Sequence, residues 1–149
     1  MDKFLKIFFI LALIAGAHLA VTSRATFAQD SSKEEEVLFV AKKAFEDGFY
    51  EVSLGLLERF LKNYPDSPKA TEANLLIGEC YFHQNRFLEA LNKFDGLLTL
   101  SSAKNIKDAV LYWIAEVHFK GNSFDRAAAY YKSVAEEFPK SVYLPAALY

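Results

Sequence analysis

From residue 34 onward, apolar residues return every three or four positions, the spacing that places them on one face of an α-helix. The first such stretch runs from about Lys33 to Asp47 and the second from about Tyr50 to Asn63. Gly48 separates them, as a residue that tolerates left-handed geometry should. Three acids, Glu34-Glu35-Glu36, open the first helix and sit well against the positive end of its dipole. Tyr64-Pro65-Asp66-Ser67-Pro68 ends the second; Ser67 is a good N-cap and Pro68 suits a first helical turn, so the next helix is expected at once. Further helices follow from about Pro68 to Gln84, Phe87 to Leu100, Ile106 to Lys120 and Phe124 to Glu137. Ser102 stands where Pro65 and Pro139 close the other pairs.

These helices come in pairs, and the pairs repeat every 37 residues. Val40, Ile77 and Ile114 are in step, as are Ala41, Gly78 and Ala115, and Phe45, Phe82 and Phe119. On the second helix of each pair the same step relates Tyr50, Phe87 and Phe124, and Ser53, Ala90 and Ala127. Small residues at matching places let two antiparallel helices approach closely. The larger Leu57, Phe94 and Tyr131, with Phe60, Leu97 and Val134, are expected to fill the space between pairs. One hairpin cannot bury its apolar face alone, whereas stacked neighbours can. The fold class is therefore all-α: an α-solenoid of three helix hairpins plus the start of a fourth helix. The units fall at residues 34–70, 71–107 and 108–144, with a partial one at 145–149. An array ending in half a hairpin leaves an apolar face uncovered, as expected of a piece of a longer repeat protein.

The first 28 residues have a different pattern. Lys3 and Lys6 precede an unbroken run of apolar and small residues from Ile7 to Ala17, which reads as a secretory signal. Cleavage is expected after Ala28, with Ala25 and Ala17 as alternatives; a polar linker, residues 29–33, follows. An uncleaved anchor is the alternative reading, but the run is short for a span of roughly 20 residues. Membrane contact is thus expected only through this segment. Removing Asp2, Lys3, Lys6 and Arg24 with it leaves 14 basic and 18 acidic side chains, a net charge of −4. That balance argues against nucleic acid, which demands a basic face. Cys80 is the single cysteine, so no internal disulfide forms, and its place on an apolar helix face suits a buried thiol.

Taken together, these positions resemble the tetratricopeptide repeat family across residues 34–149. The second unit carries Ile77, Gly78, Tyr81, Ala90 and Phe94. The third has Ile114, Ala115, Ala127, Tyr131 and Pro139, with His118 in the tyrosine's place; the first has Val40, Ala41, Ser53, Leu57 and Pro65, with Ala44 there. The unit is longer than the family's usual 34 residues, and its post-proline linkers look like those of bacterial cell-envelope repeat proteins. The Tol–Pal-associated cell-division coordinator and the repeat lipoprotein of the outer-membrane assembly machine are of this type. The coiled coil of the first and the acylated cysteine of the second have no counterpart here.

The resemblance implies a concave groove lined by the first helix of each pair. Carried over, its lining is Leu38, Lys42, Phe45 and Glu46; Leu75, Glu79, Phe82 and His83; and Tyr112, Glu116, Phe119 and Lys120. Phe45, Phe82 and Phe119 then form a stripe that either anchors a bound helix or peptide or packs between helices. Glu79 and His83, one turn apart, with Glu116 come nearest to a metal site, but nothing completes it with ordinary ligand spacing. No nucleophile elbow, phosphate loop or haem-attachment motif is present, so neither a cofactor nor an enzyme is expected. The expected function is a protein-binding scaffold, exported to the periplasm and serving cell-envelope organisation or assembly. The alternative is a structural or self-association module of a longer protein.

Overall fold

The computed structural model describes residues 32–147. The expected signal segment, residues 29–31 of the linker and residues 148–149 lie outside them. The packing below concerns the unit that begins at Val37. Among the described residues all regular structure is helical. Helix α1 covers residues 32–46, so Ser32 and Lys33 belong to it rather than to a linker. It is followed by α2 (Tyr50–Asn63), α3 (Ala70–His83), α4 (Phe87–Leu98), a 3₁₀ segment (Ser101–Ile106), α5 (Lys107–Lys120), α6 (Phe124–Glu137) and a short α7 (Leu144–Ala147). Each helix from α2 onward packs on the next in sequence, and α3 also touches α5. This is an α-solenoid of stacked hairpins.

Three turns of one design make the hairpins. Gly48, Asn85 and Asn122 each have a left-handed backbone, with φ of 81°, 59° and 57°. In each turn the left-handed residue's N–H bonds back three residues and the following N–H bonds back five. Thus Gly48 donates to the Phe45 carbonyl at 2.9 Å and Phe49 to that of Ala44 at 2.8 Å; Asn85, Arg86, Asn122 and Ser123 repeat the scheme. This is the Schellman motif, which satisfies helix-end carbonyls and reverses the chain. Glycine meets the left-handed requirement without a Cβ penalty, and asparagine is the side chain that best tolerates it.

Within a hairpin the two helices meet at small residues. The Ser53 hydroxyl, fully buried, donates to the Ala41 carbonyl of α1 at 2.8 Å. In the second hairpin the ring of Phe94 lies over Gly78, so close that a Cβ there would stand 2.3 Å from the ring. Phe94 therefore fills space inside its own hairpin, and reaches the next as well, where its ring stacks 6.5 Å from Trp113. Between hairpins, Leu57 and Phe60 of α2 share a core with Ala73, Ile77 and Cys80 of α3. Ala90, Phe94 and Leu97 of α4 do the same with Ala109, Val110, Ile114 and Val117 of α5. Ile77 and Ile114 are 1% and 0% exposed because a preceding hairpin covers them, whereas Val40, at the same place in the first hairpin, is 46% exposed.

The linkers depart from expectation in instructive ways. Ser67 does not start a helix at Pro68. Its hydroxyl accepts from the Lys69 N–H at 3.0 Å, closing a turn that delays α3 until Ala70. Ser141 repeats this with Tyr143 at 3.1 Å, and α7 starts at Leu144. Where the proline is missing, α4 stops at Leu98 rather than Leu100, and the 3₁₀ segment bridges to α5, pinned by buried Ala103.

Gly78→Ala is expected to lower unfolding stability by about 1–3 kcal/mol, because the added methyl overpacks the ring of Phe94. The ordinary helix preference for alanine, about 1 kcal/mol, has the opposite sign and does not offset it. Adding Phe94→Leu, which recreates the Ala41 and Leu57 pairing of the first hairpin, should recover part of the loss. Urea unfolding followed by circular dichroism measures both; independent, additive effects would count against this contact.

Candidate functional site

The first helix of each hairpin carries the positions of interest, and the 37-residue step aligns them across α1, α3 and α5. Between α1 and α3 lies a cleft of about 330 Å³. Lys42, Phe45, Glu46, Leu75 and Glu79 line it, all expected there, together with Glu72 and Leu76. Lys42 crosses the cleft to form an ion pair with Glu72 of the next repeat. Glu46 is held instead by Lys43 on its own helix at 2.9 Å.

Further along, α5, α6 and the segment before α7 assemble an aromatic and acidic cluster against α3. Tyr112 is its hub, 4.9 Å from Tyr143 in a stacked arrangement, 5.5 Å from Trp113 and 6.0 Å from Tyr131. Tyr131 donates its hydroxyl hydrogen to the Glu116 carboxylate. Burial, and then the negative charge of Glu116, push Tyr112 up to about 12 and move Tyr131 upward too. Burial pushes the Glu79 carboxyl up to about 7, against a weaker opposing pull from the Trp113 N–H. Burial followed by the charge of Glu79 raises Tyr143, which places it beside that carboxylate. The Trp113 indole N–H is buried between these groups and closes a hydrogen bond of ordinary geometry with none of them. Among the described residues, neither Glu79 nor Glu116 stands within ion-pair distance of a lysine or arginine.

The expected aromatic stripe does not form as one surface. Phe82 is only 8% exposed and packs edge-on against Phe87 and Trp113, so it belongs to the core. Phe45 is half-buried against Tyr50 and His83. Phe119 is exposed beside Phe124 at the third turn, and Lys120 is exposed next to it. Leu38 is likewise a core residue, and Leu75, though buried, also walls the cleft, which leaves Lys42, Phe45, Glu46, Leu75, Glu79, His83, Tyr112 and Glu116 as the expected residues that line or flank the groove. His83 stacks on Tyr50 at 4.7 Å and meets Trp113 edge-on, and burial holds its pKa below the ordinary value. His118 stacks on Tyr130 at 5.6 Å, on the packing side. No three histidine, cysteine or acidic side chains gather as metal ligands among the described residues.

As site residues, Trp113, Tyr131, Tyr143 and Glu72 escaped the sequence reading, which gave Tyr131 a packing role alone. A signal existed for two of them. Trp113 replaces Phe39 and Leu76 of the earlier repeats, and Tyr131 replaces Leu57 and Phe94, so the third repeat gains polar-tipped aromatics where its predecessors carry wholly apolar side chains.

Stacked antiparallel helix pairs in 37-residue register, closed by small residues and left-handed turns, define a helical-repeat protein. One tetratricopeptide-repeat family model matches residues 41–105 and a second matches 109–141, together about two thirds of the chain. The chain belongs to the tetratricopeptide repeat family. Repeats of this family imply a protein–protein interaction module. No curated protein matches the chain at a significant level.

The raised pKa of Glu79 has a measurable sign. Below pH 4.5 its carboxyl is neutral folded and unfolded alike, and it carries no penalty. As pH climbs from 4.5 to about 7 the unfolded chain gives up this proton first, so stability is progressively lost, and the loss is complete above pH 7. A shift of this size corresponds to about 3 kcal/mol. Glu79→Gln, which removes the charge but keeps the shape, should therefore raise Tm at pH 8 and leave it nearly unchanged at pH 4. Equal effects at both pH values would mean that Glu79 is ionised without cost.

Proposed function

We propose that this chain is an exported scaffold that holds a peptide or helix of another protein in the groove formed by α1, α3 and α5, and that it serves cell-envelope organisation or assembly. The observation that carries the groove reading is the open cleft between α1 and α3, walled by Leu75, Leu76 and Phe45 and rimmed by charge. Apolar walls supply the contact area, and rim charges fix register and orientation. Export rests on the first 28 residues: two lysines, then an apolar run, then small residues at candidate cleavage points. The envelope assignment rests on that signal together with the proline-containing linkers after α2 and α6.

A second reading, self-association, is favoured by one feature of the first hairpin. Phe39, Val40, Phe49 and Val52 are 67%, 46%, 62% and 56% exposed there, whereas Arg86, Glu89, Ser123 and Arg126 occupy the later counterparts of the last two. Such an apolar set is what a further hairpin, or another copy of this chain, would cover.

Two measurements test these readings. A photo-crosslinking residue placed at Glu46 or Glu72 should capture a partner in cells, while the same residue at Asp95 on α4 should not. Adducts of equal yield from all three positions, or none from any, would overturn groove binding; an adduct of twice the chain's mass, formed from Phe39 or Val52, would favour self-association. The N-terminus of the secreted protein is expected at Gln29. A protein that retains Met1 and stays in the cytoplasm would sink the export reading.

A further inference from the structure

From the cleft, whose lining includes Glu79, the groove continues to a second part where two carboxylates form no ion pair with a lysine or arginine among the described residues. Glu79 of α3 and Glu116 of α5 occupy equivalent places one repeat apart. Between and around them stand Tyr112, Trp113, Tyr131 and Tyr143, packed at centroid distances of 4.9–6.0 Å about Tyr112. Of the lysines on α1 and at the start of α5, Lys42 pairs with Glu72 and Lys107 with Glu137 at 2.7 Å, and Lys120, exposed one turn from Glu116, forms no ion pair with it. Glu116 accepts a hydrogen bond from Tyr131 and lies close to Tyr112, and Glu79 has the imperfectly placed Trp113 N–H and Tyr143 beside it. A half-buried carboxylate without a cation is an unfavourable arrangement for folding alone. Electron-rich faces of tyrosine and tryptophan reinforce the same sign of potential, because their quadrupoles attract positive charge. Sequence position adds to this. Lys42, the counterpart of both acids in the first repeat, is the one basic residue in that column, and Glu72 neutralises it.

We propose that Glu79, Glu116 and the surrounding Tyr112, Trp113, Tyr131 and Tyr143 form a subsite for an arginine or lysine side chain of the segment bound in the groove. The proposal rests on the groove reading and names the chemistry of its occupant: a basic segment, complementary in charge to an acidic and aromatic wall. Arginine fits best. Its planar guanidinium stacks on aromatic faces while its edge donates to carboxylates, two demands that the cluster makes together. Apolar residues of the same segment then reach the neighbouring cleft beside Leu75 and Leu76.

The test uses the full-length chain and a displayed library of random twelve-residue peptides, selected in parallel on the native protein and on the Glu79→Gln, Glu116→Gln double variant. Both proteins are first checked for equal helicity. Peptides selected on the native protein should be enriched in arginine or lysine, and the enrichment should disappear on the variant. Replacing the enriched arginine by citrulline, which keeps shape and loses charge, should weaken binding roughly ten-fold on the native protein and not at all on the variant. Trp113 is the sole tryptophan, so its fluorescence reports occupancy of this subsite directly. Arginine and citrulline peptides that bind equally, while still perturbed by Glu46→Lys in the cleft, would overturn the basic subsite and leave the groove standing. Peptides indifferent to both the cleft and the subsite variants, or no selected peptides, would overturn both.

Discussion

Everything in this molecule depends on how closely two antiparallel helices approach inside each hairpin. The distance is set by one small residue on the first helix and what the second helix lays over it. Ala41 shares a core with Leu57, and Gly78 takes the ring of Phe94. In the first two hairpins the larger covering side chain has the smaller partner: glycine stands where phenylalanine covers, alanine where leucine does; the third pairs Ala115 with Tyr131, whose hydroxyl turns to Glu116. The hairpin spacing then determines which residues face the next pair, and so where a groove can open. Burying a side chain such as Phe94 or Ile114 is worth roughly 1.5–3 kcal/mol each. That energy is available only when a neighbouring hairpin supplies the other wall.

The turns enforce the same register from the backbone side. Left-handed residues at 48, 85 and 122 reverse the chain at one fixed offset from the close-approach position. A slip of one residue would put Asp47 or Phe49 in the first turn, and Gln84 or Arg86 in the second, in a conformation that L-residues avoid, and would also move every core residue off its face. Packing and turn chemistry therefore specify one answer rather than two, which is the condition for a unique fold.

Most of this architecture was legible in the sequence because it is periodic. The bounds of α2 and α6 agree with the pattern, since Gly48 or Ser123 on one side and Pro65 or Pro139 on the other leave few choices. The junction after α4 was not legible. No proline marks it, and a 3₁₀ segment owes its path to burial of Ala103, a tertiary effect that no local pattern announces. The register brings Lys42, Phe45, Glu46, Leu75 and Glu79 around one cleft, but it left Phe82 open between a stripe on the groove and packing between helices; the structure packs it beneath Trp113. Periodicity says which face of a helix a residue occupies. It does not say whether a large neighbour from the next repeat, here an indole, will close over it.

Cys80 lies fully buried on α3, and burial pushes its thiol up to about 11. Oxidants and electrophiles act on thiolates, so the native fold withholds both access and the reactive form. The chain's single sulfhydryl thus becomes chemically competent only when α3 parts from its neighbours. Oxidation to the irreversible sulfinic or sulfonic stage would therefore accumulate with the time the central repeat spends apart.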